Sequence, residues 1–322
     1  MPQPDKAQYI DNINQDVAQA YFQTQSNFIA SQVFPPVVVD KESAKYYVFT
    51  KNDFLRSDMQ IRANASESAG SGFSVSNTNY EIDVFAEHKD VTERDRKNWN
   101  LNSIPIDEAT TQLLVQHALQ KMERQWATDF FTTGLWGTTN TLTGTDQWSA
   151  YSTSDPISVV DTGITTVLSN TGFKPNVGVV GFQTWQKLKR HPLVVDRVSG
   201  GATTANPANA TTANVAAIFE LEKLYVCQAV KATNIEGETA AYDFIEGKHM
   251  LLCYVPSNPS LVTPSAGYTF LFDGAGSGTT ISTYRIPMPQ LGIGTERLEI
   301  EMGWDNKITG SDLGYMILNA VA

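Results

Sequence analysis

Cysteine is scarce in this chain, and so are histidine and charge. Only Cys227 and Cys253 occur in 322 residues, each inside an apolar run. Two cysteines exclude a disulfide framework or a thiolate metal centre, and their flanks describe buried, reduced thiols acting as small hydrophobes. A single bridge between them is left open. Four histidines, at 88, 117, 191 and 249, are scattered without metal-ligand spacing, so no metal and no other cofactor is expected. No run of about 18 apolar residues occurs, which excludes a transmembrane helix and with it a membrane partner. The opening Met1-Pro2-Gln3-Pro4-Asp5 has neither the basic nor the apolar region of a secretory signal. These absences together describe a protein made and folded in a reducing cytoplasm.

Charged residues make up 18% of the chain, against about 25% in an ordinary domain. The net charge is −11. A sparsely charged acidic chain is poorly suited to gripping nucleic-acid phosphates, which takes clustered Lys and Arg. The balance is uneven. Residues 232–322 hold four Lys/Arg against ten Asp/Glu, whereas residues 40–62 hold five against four. Disorder is excluded by the 41% hydrophobic and 10% aromatic content. At 35.4 kDa, surface scaling lets such a chain bury close to three quarters of its surface. That is enough for a core without metal or disulfide.

Catalytic signatures are missing as well. No G-x-S-x-G elbow is present. The glycine-rich Gly274-Ala-Gly-Ser-Gly-Thr-Thr280 lacks the lysine of a phosphate-binding loop and runs into strand-like sequence, so it reads as a surface turn. The carboxylates Glu81, Asp83, Glu87, Asp90, Glu93 and Asp95 alternate with Lys89, Arg94, Arg96 and Lys97. That pattern suits a solvated or inter-subunit charge network.

What is present is a sequence of elements with distinct periods. Residues 1–36 are polar, rich in Gln and Asn, and show only a weak helical spacing at Val17, Tyr21, Phe22, Phe28 and Ile29. They read as an arm that lies on something else. Tyr46–Thr50 is strand-like, a soft Ala63–Gly72 stretch follows, and Tyr80, Ile82, Val84 and Ala86 alternate. The pattern predicts a long antiparallel hairpin. Two strands are marginal alone, and no neighbouring segment obviously offers a surface, so another subunit is expected to supply it.

The clearest helix is predicted over 107–131, roughly 37 Å long. Leu114, Ala118, Met122, Trp126 and Phe130 recur every four residues, widened by Val115 and Leu119; this stripe is expected in the core. His117 falls between stripe positions and is expected to be partly exposed. Beyond Pro156, helices (157–170, 182–191 stopped by Pro192, 214–222) alternate with strands (177–181, 224–230, 250–255). An alternating stretch over 282–303 and a closing apolar strand over 315–321 complete an α+β chain. No repeat of 20–50 residues is apparent.

Short motifs in a fixed order connect these elements. They are Asp90-Val-Thr-Glu-Arg-Asp-Arg96, Asp129-Phe-Phe-Thr-Thr-Gly-Leu-Trp-Gly137, Gln147-Trp-Ser149, Ser154-Asp-Pro156 and Thr171-Gly-Phe-Lys-Pro-Asn176. Trp185-Gln-Lys-Leu-Lys-Arg-His-Pro192, Ile218-Phe-Glu-Leu-Glu-Lys-Leu-Tyr-Val226, Gly247-Lys-His-Met-Leu-Leu-Cys-Tyr-Val-Pro256 and Thr263-Pro-Ser-Ala-Gly-Tyr-Thr-Phe270 follow. In these the chain resembles the major capsid (coat) proteins of tailed bacteriophages, which have the Johnson fold (the HK-ninety-seven type).

The resemblance implies a non-enzymatic subunit that self-assembles as pentamers and hexamers into an icosahedral shell around phage double-stranded DNA. It implies an N-terminal arm (1–36) and an extended hairpin loop (37–92) overlapping a neighbour. A peripheral domain (93–157 and 284–311) would carry the spine helix 107–131, and an axial domain would take 158–283 and 312–322. A separate scaffolding protein and a portal are implied partners, with decoration proteins an open addition and packaged DNA enclosed without specific binding. Assembly would take place in the host bacterial cytoplasm and the product would be the virion capsid.

No motif identifies a crosslinking Lys–Asn pair. The charge asymmetry suggests that the basic hairpin residues Lys51, Arg56 and Arg62 dock on an acidic neighbour, and that Glu93, Arg94, Asp95 and Arg96 contribute to subunit contacts. A bacterial nanocompartment (encapsulin-like) shell is the alternative within the class, and a soluble α+β enzyme the alternative outside it.

Overall fold

The structure is a computed structural model that describes residues 23–99, 105–199, 210–235, 237–258, 263–273 and 281–322. Residues 1–22 of the arm expected over 1–36, most of the loop expected over 199–213 and the Gly274–Thr280 turn lie outside the described residues. In chain order, the short helix α1 (Ala30–Val33) leads to β1 (Pro36–Val39), β2 (Ser43–Phe49), α2 (Lys51–Leu55) and β3 (Val75–Glu81). Then come β4 (Asp83–Val91), α3 (Glu93–Asn98), the long α4 (Ile106–Phe131), β5 (Thr138–Thr141) and α5 (Pro156–Thr171). The middle of the chain holds β6 (Val177–Gly181), α6 (Phe182–Leu188), α7 (Pro192–Ser199), α8 (Thr212–Ile218), β7 (Lys223–Cys227), β8 (Val230–Ala232), β9 (Tyr242–Phe244) and β10 (Met250–Cys253). The chain ends with β11 (Gly267–Phe272), β12 (Ser282–Pro287), β13 (Glu296–Ile308) and β14 (Gly314–Leu318).

Two five-stranded sheets organise these elements. The first runs β1-β11-β13-β12, with β4 paired to β13 on its other flank; the second runs β5-β14-β10-β6-β7. Along β6, β10 and β14 every residue is buried, so these strands read in sequence as continuous apolar runs rather than alternations. Their alternate residues feed two cores. Val179, Leu251 and Met316 join α4 and the first sheet in one core. Val180, Leu252 and Ile317 face α5–α8 in the other.

Helix α4 begins after Pro105, carries Asp107 and Glu108 in its first turn and stops before Gly134, whose φ of 86° suits glycine. Leu114, Ala118, Met122, Trp126 and Phe130 are all buried along it, while Val115 and Leu119 are half-buried and His117 is exposed. Asp155 caps α5 by accepting hydrogen bonds from the Ile157 and Ser158 N–H groups.

Several expectations are corrected. The alternation over 80–86 is not one strand. β3 pairs with β2 and β4 pairs with β13, and the chain changes partner at Ile82. Tyr80 and Ile82 are buried against Phe270, whereas Val84 is exposed. The hairpin base therefore lies on its own chain's β1 and β11, and only its far part lacks such support. The helix expected over 182–191 ends at Leu188, and Pro192 does not stop it but opens α7, where the missing N–H costs nothing in a first turn.

The strand expected over 224–230 is two, β7 and β8, in different sheets. The helix expected over 214–222 ends at Ile218, followed by Glu220 with a φ of 53°. The two sheets also divide the chain differently from the expected domain boundaries. β11 joins the first sheet with β13, while β5 joins the second with β14.

The cysteines are buried and free. Cys227 sits beside Gly181 and Cys253 beside Val177, on opposite flanks and opposite ends of β6, which is too far apart for a disulfide.

Candidate inter-subunit surface

The hairpin beyond its base is built from residues that a monomer would be expected to bury. Tyr47, Phe49, Phe54, Leu55, Phe73 and Val75 are exposed, and Met59 and Ile61 are 94% and 103% exposed. Phe54 meets Phe49 edge-on at 5.9 Å and lies 6.1 Å from Phe73. These three rings form an apolar platform on a two-stranded ribbon. A second exposed apolar tip, Leu291 and Ile293, stands on the turn between β12 and β13. Contiguous apolar surface of this kind marks interaction sites.

The three basic hairpin residues are not alike. Lys51 pairs with Asp312 of the same chain, and Arg56 Nε lies 3.0 Å from Asp58 Oδ2. Arg62 Nε donates to the Ser66 carbonyl and has no carboxylate partner among the described residues.

The charge cluster after β4 is tied together within the chain. Arg96 lies 2.7 Å from Glu296 and 3.3 Å from Asp107, and Arg285 contacts both of these carboxylates. Thr92 and Asp95 form a reciprocal cap on α3, and the Thr92 hydroxyl holds the Asp95 carboxyl below its ordinary range. Glu93 pairs with Lys97 at 3.5 Å. Arg94 is exposed and has no ion pair among the described residues. Asp90 takes two hydrogen bonds from Arg297, at 2.8 and 3.1 Å, which lower its pKa. His117 contacts Glu87 at 3.1 Å.

No group of three or more His, Cys, Asp or Glu side chains among the described residues is arranged to hold a metal ion. An open groove is lined by Asp155, Ile157, Ser158, Asp161, Thr162 and Arg197, at the start of α5 and on α7. The strongly shifted groups are elsewhere, in packed interior. Burial raises the Cys227 and Cys253 thiols, and it pushes Glu123 and Glu246 up to about 7. Burial lowers the His191 pKa, and its Nε2 lies 3.1 Å from the Ser154 hydroxyl. The buried thiols were expected from the sequence, whereas the burial of Glu123, Glu246 and His191 was missed. Glu123 follows Met122 of the buried stripe, and nothing in its spacing separates it from a solvated helix acid.

Comparisons with known proteins agree with the architecture. The chain is 27% identical over 296 residues to the major capsid protein of Pseudomonas phage JBD67, covering 91% of this chain and 92% of that one. It is 24% identical to the major capsid protein of Burkholderia phage BcepMu, covering 97% of each. A phage-related protein from Bordetella bronchiseptica superposes with a TM-score of 0.69 at 21% identity, over 92% of this chain and 94% of that one. The capsid of cyanophage P-SCSP1u gives 0.61 at 11% identity, over 94% and 90%. An encapsulin from Synechococcus elongatus gives 0.56 at 10%, over 95% and 94%. No family model matches the chain. The fold is that of the phage major capsid proteins.

Proposed function

We propose that this chain is the major capsid protein of a tailed phage, a structural subunit that tiles an icosahedral shell around double-stranded DNA. The observation that carries the reading is end-to-end similarity to two phage major capsid proteins, on a fold whose hairpin exposes an aromatic platform that one subunit leaves uncovered. The encapsulin-like alternative shares the fold, but both curated relatives favour the phage reading.

In this proposal subunits group as pentamers and hexamers, assembled in the host cytoplasm with a separate scaffold and a portal. The far part of the hairpin expected over 37–92, beyond its base on β1 and β11, overlaps a neighbour. The layer of α4 with the sheet of β1, β4, β11, β12 and β13 is the peripheral domain, and the sheet of β5, β14, β10, β6 and β7 with α5–α8 is the axial one. Met59, Ile61 and the Phe49–Phe54–Phe73 platform supply the apolar part of the overlap. Arg62 and Arg94 supply the charged part, joined by Arg56, which stays largely exposed beside its Asp58 partner, whereas Lys51, Glu93, Asp95 and Arg96 are tied to carboxylates, amides or cations of their own chain. Mutual overlap lets modest pairwise contacts sum into a stable shell. The acidic balance leaves enclosed DNA unbound, since it offers no phosphate-neutralising surface. No side chain is assigned a catalytic role.

Negative-stain microscopy of the purified protein, alone and with scaffold, tests the reading. Particles of one diameter are expected, and DNA inside particles from infected cells separates a capsid from a compartment shell. A stable monomer or dimer under every condition contradicts it.

A further inference from the structure

Residues 23–34 are threaded between the long helix and the second sheet. Gln23 Nε2 donates to the Val230 carbonyl at 2.7 Å, and the Val230 N–H donates back to Gln23 Oε1 at 3.0 Å. Phe28, Ile29, Ala30, Val33 and Phe34 are buried, with the Phe34 ring 4.4 Å from Phe130. Tyr225 Oη donates to the Gln32 carbonyl at 3.1 Å.

At the centre of this strap, Glu123 of α4 is 1% exposed. Its Oε2 accepts the N–H groups of Ile29 and Ala30, at 2.9 and 2.8 Å. Those donors open α1 and would be buried and unpaired without it. Among the described residues no cation pairs with the carboxyl. The strap itself carries no titratable side chain. On α4, Lys121 lies over Phe85 and Arg124 points to solvent. β7 offers Tyr225 and the Cys227 thiol, with Lys223 exposed. A second buried acid, Glu246, also acts on the Cys227 thiol; it holds the Lys248 and His249 N–H groups and feels Lys231.

The geometry points to a proton-operated latch: with the Glu123 carboxyl protonated, residues 23–34 stay clamped between α4 and β7, and its ionisation favours lifting of the strap. The physical reason is that a carboxylate buried without a counter-ion is costly, and the two N–H donors offset only part of that cost. Burial accordingly raises the carboxyl from 4.5 to about 7 in the closed arrangement. In the lifted state it meets water and regains its ordinary value. A group whose pKa is raised in the closed state contributes closure that is complete below 4.5 and fades as pH rises through about 7. From pH 5.5 to 8.5 the lifted fraction then grows roughly 30-fold.

Hydrogen–deuterium exchange of the full-length protein tests this, reading the peptide over 23–34 at pH 5.5, 7 and 8.5 after correction for intrinsic exchange. Opening is expected to rise roughly 30-fold across that range in the wild type, to be flat in Glu123→Gln and to keep its rise in Glu246→Gln. Gln23→Ala guards against a misfolded Glu123 variant. It removes one clamp without touching the acid, so it should open the strap more at every pH while preserving the pH slope. A flat wild-type profile, an unchanged slope in Glu123→Gln, or loss of the slope in Gln23→Ala or Glu246→Gln overturns the latch.

Discussion

Phe54 separates what holds the subunit together from what holds subunits to one another. It sits in α2, 63% exposed, against Phe49 and Phe73. A phenylalanine carries about 200 Å² of surface, so roughly 130 Å² of Phe54 faces water in one subunit. Covering that area with a neighbour contributes at most about 3 kcal/mol per contact at ~25 cal/mol/Å². Ordering of side chains at the interface offsets part of this.

Phe54→Ser should therefore raise the concentration needed for assembly by about one to two orders of magnitude. The free subunit should lose at most about 1 kcal/mol, as surface substitutions do. Sedimentation velocity across a concentration series reads the first effect, and urea unfolding of unassembled subunit reads the second. Assembly at the wild-type concentration would refute the reasoning, and so would a subunit destabilised by more than about 2 kcal/mol.

Phe130→Ala should do the reverse. The side chain is fully buried beside Phe34, Trp126 and Trp136, so truncation should cost about 3–5 kcal/mol in guanidinium unfolding before any assembly is measured. Gly181→Ala should fail more severely, because a Cβ there would lie 2.4 Å from the Gly247 backbone; the soluble yield and the unfolding midpoint should both collapse. His249 Nδ1 accepts the Asn319 N–H at 3.0 Å, and burial, with Lys248 nearby, lowers its pKa from 6.5. Its contribution is therefore complete above pH 6.5 and lost as pH falls through the lower folded value. Urea midpoints should drop on acidification, and His249→Gln should flatten that part of the decline.

How much of this was legible in the sequence depended on whether a pattern determined its partner. Val177–Gly181, Met250–Cys253 and Gly314–Leu318 stand out as apolar runs because both faces of their sheet are covered. The α4 stripe stands out because one helix face meets one core. Tyr80 to Ala86 misled because alternation persists across Ile82 while the strand's partner changes from β2 to β13, and a period of two carries no information about the partner. Arg96 looked available for a neighbour, but Glu296, two hundred residues away in sequence, pairs with it. Glu123 was invisible for the same reason: its partners, the Ile29 and Ala30 amides, come from a strap whose position only the fold defines. The ordered motifs compensated for these gaps, since they pointed to the fold directly rather than through local periods.

The central claim is that copies of this chain cover one another's hairpins in a closed shell. Cryo-electron microscopy of the assembled particle tests it most directly. The account predicts density in which Met59, Ile61 and Phe73 of each hairpin are buried against another copy. A particle whose hairpins remain in solvent or fold back solely on their own subunit, or a protein that forms no particle at all, would contradict it.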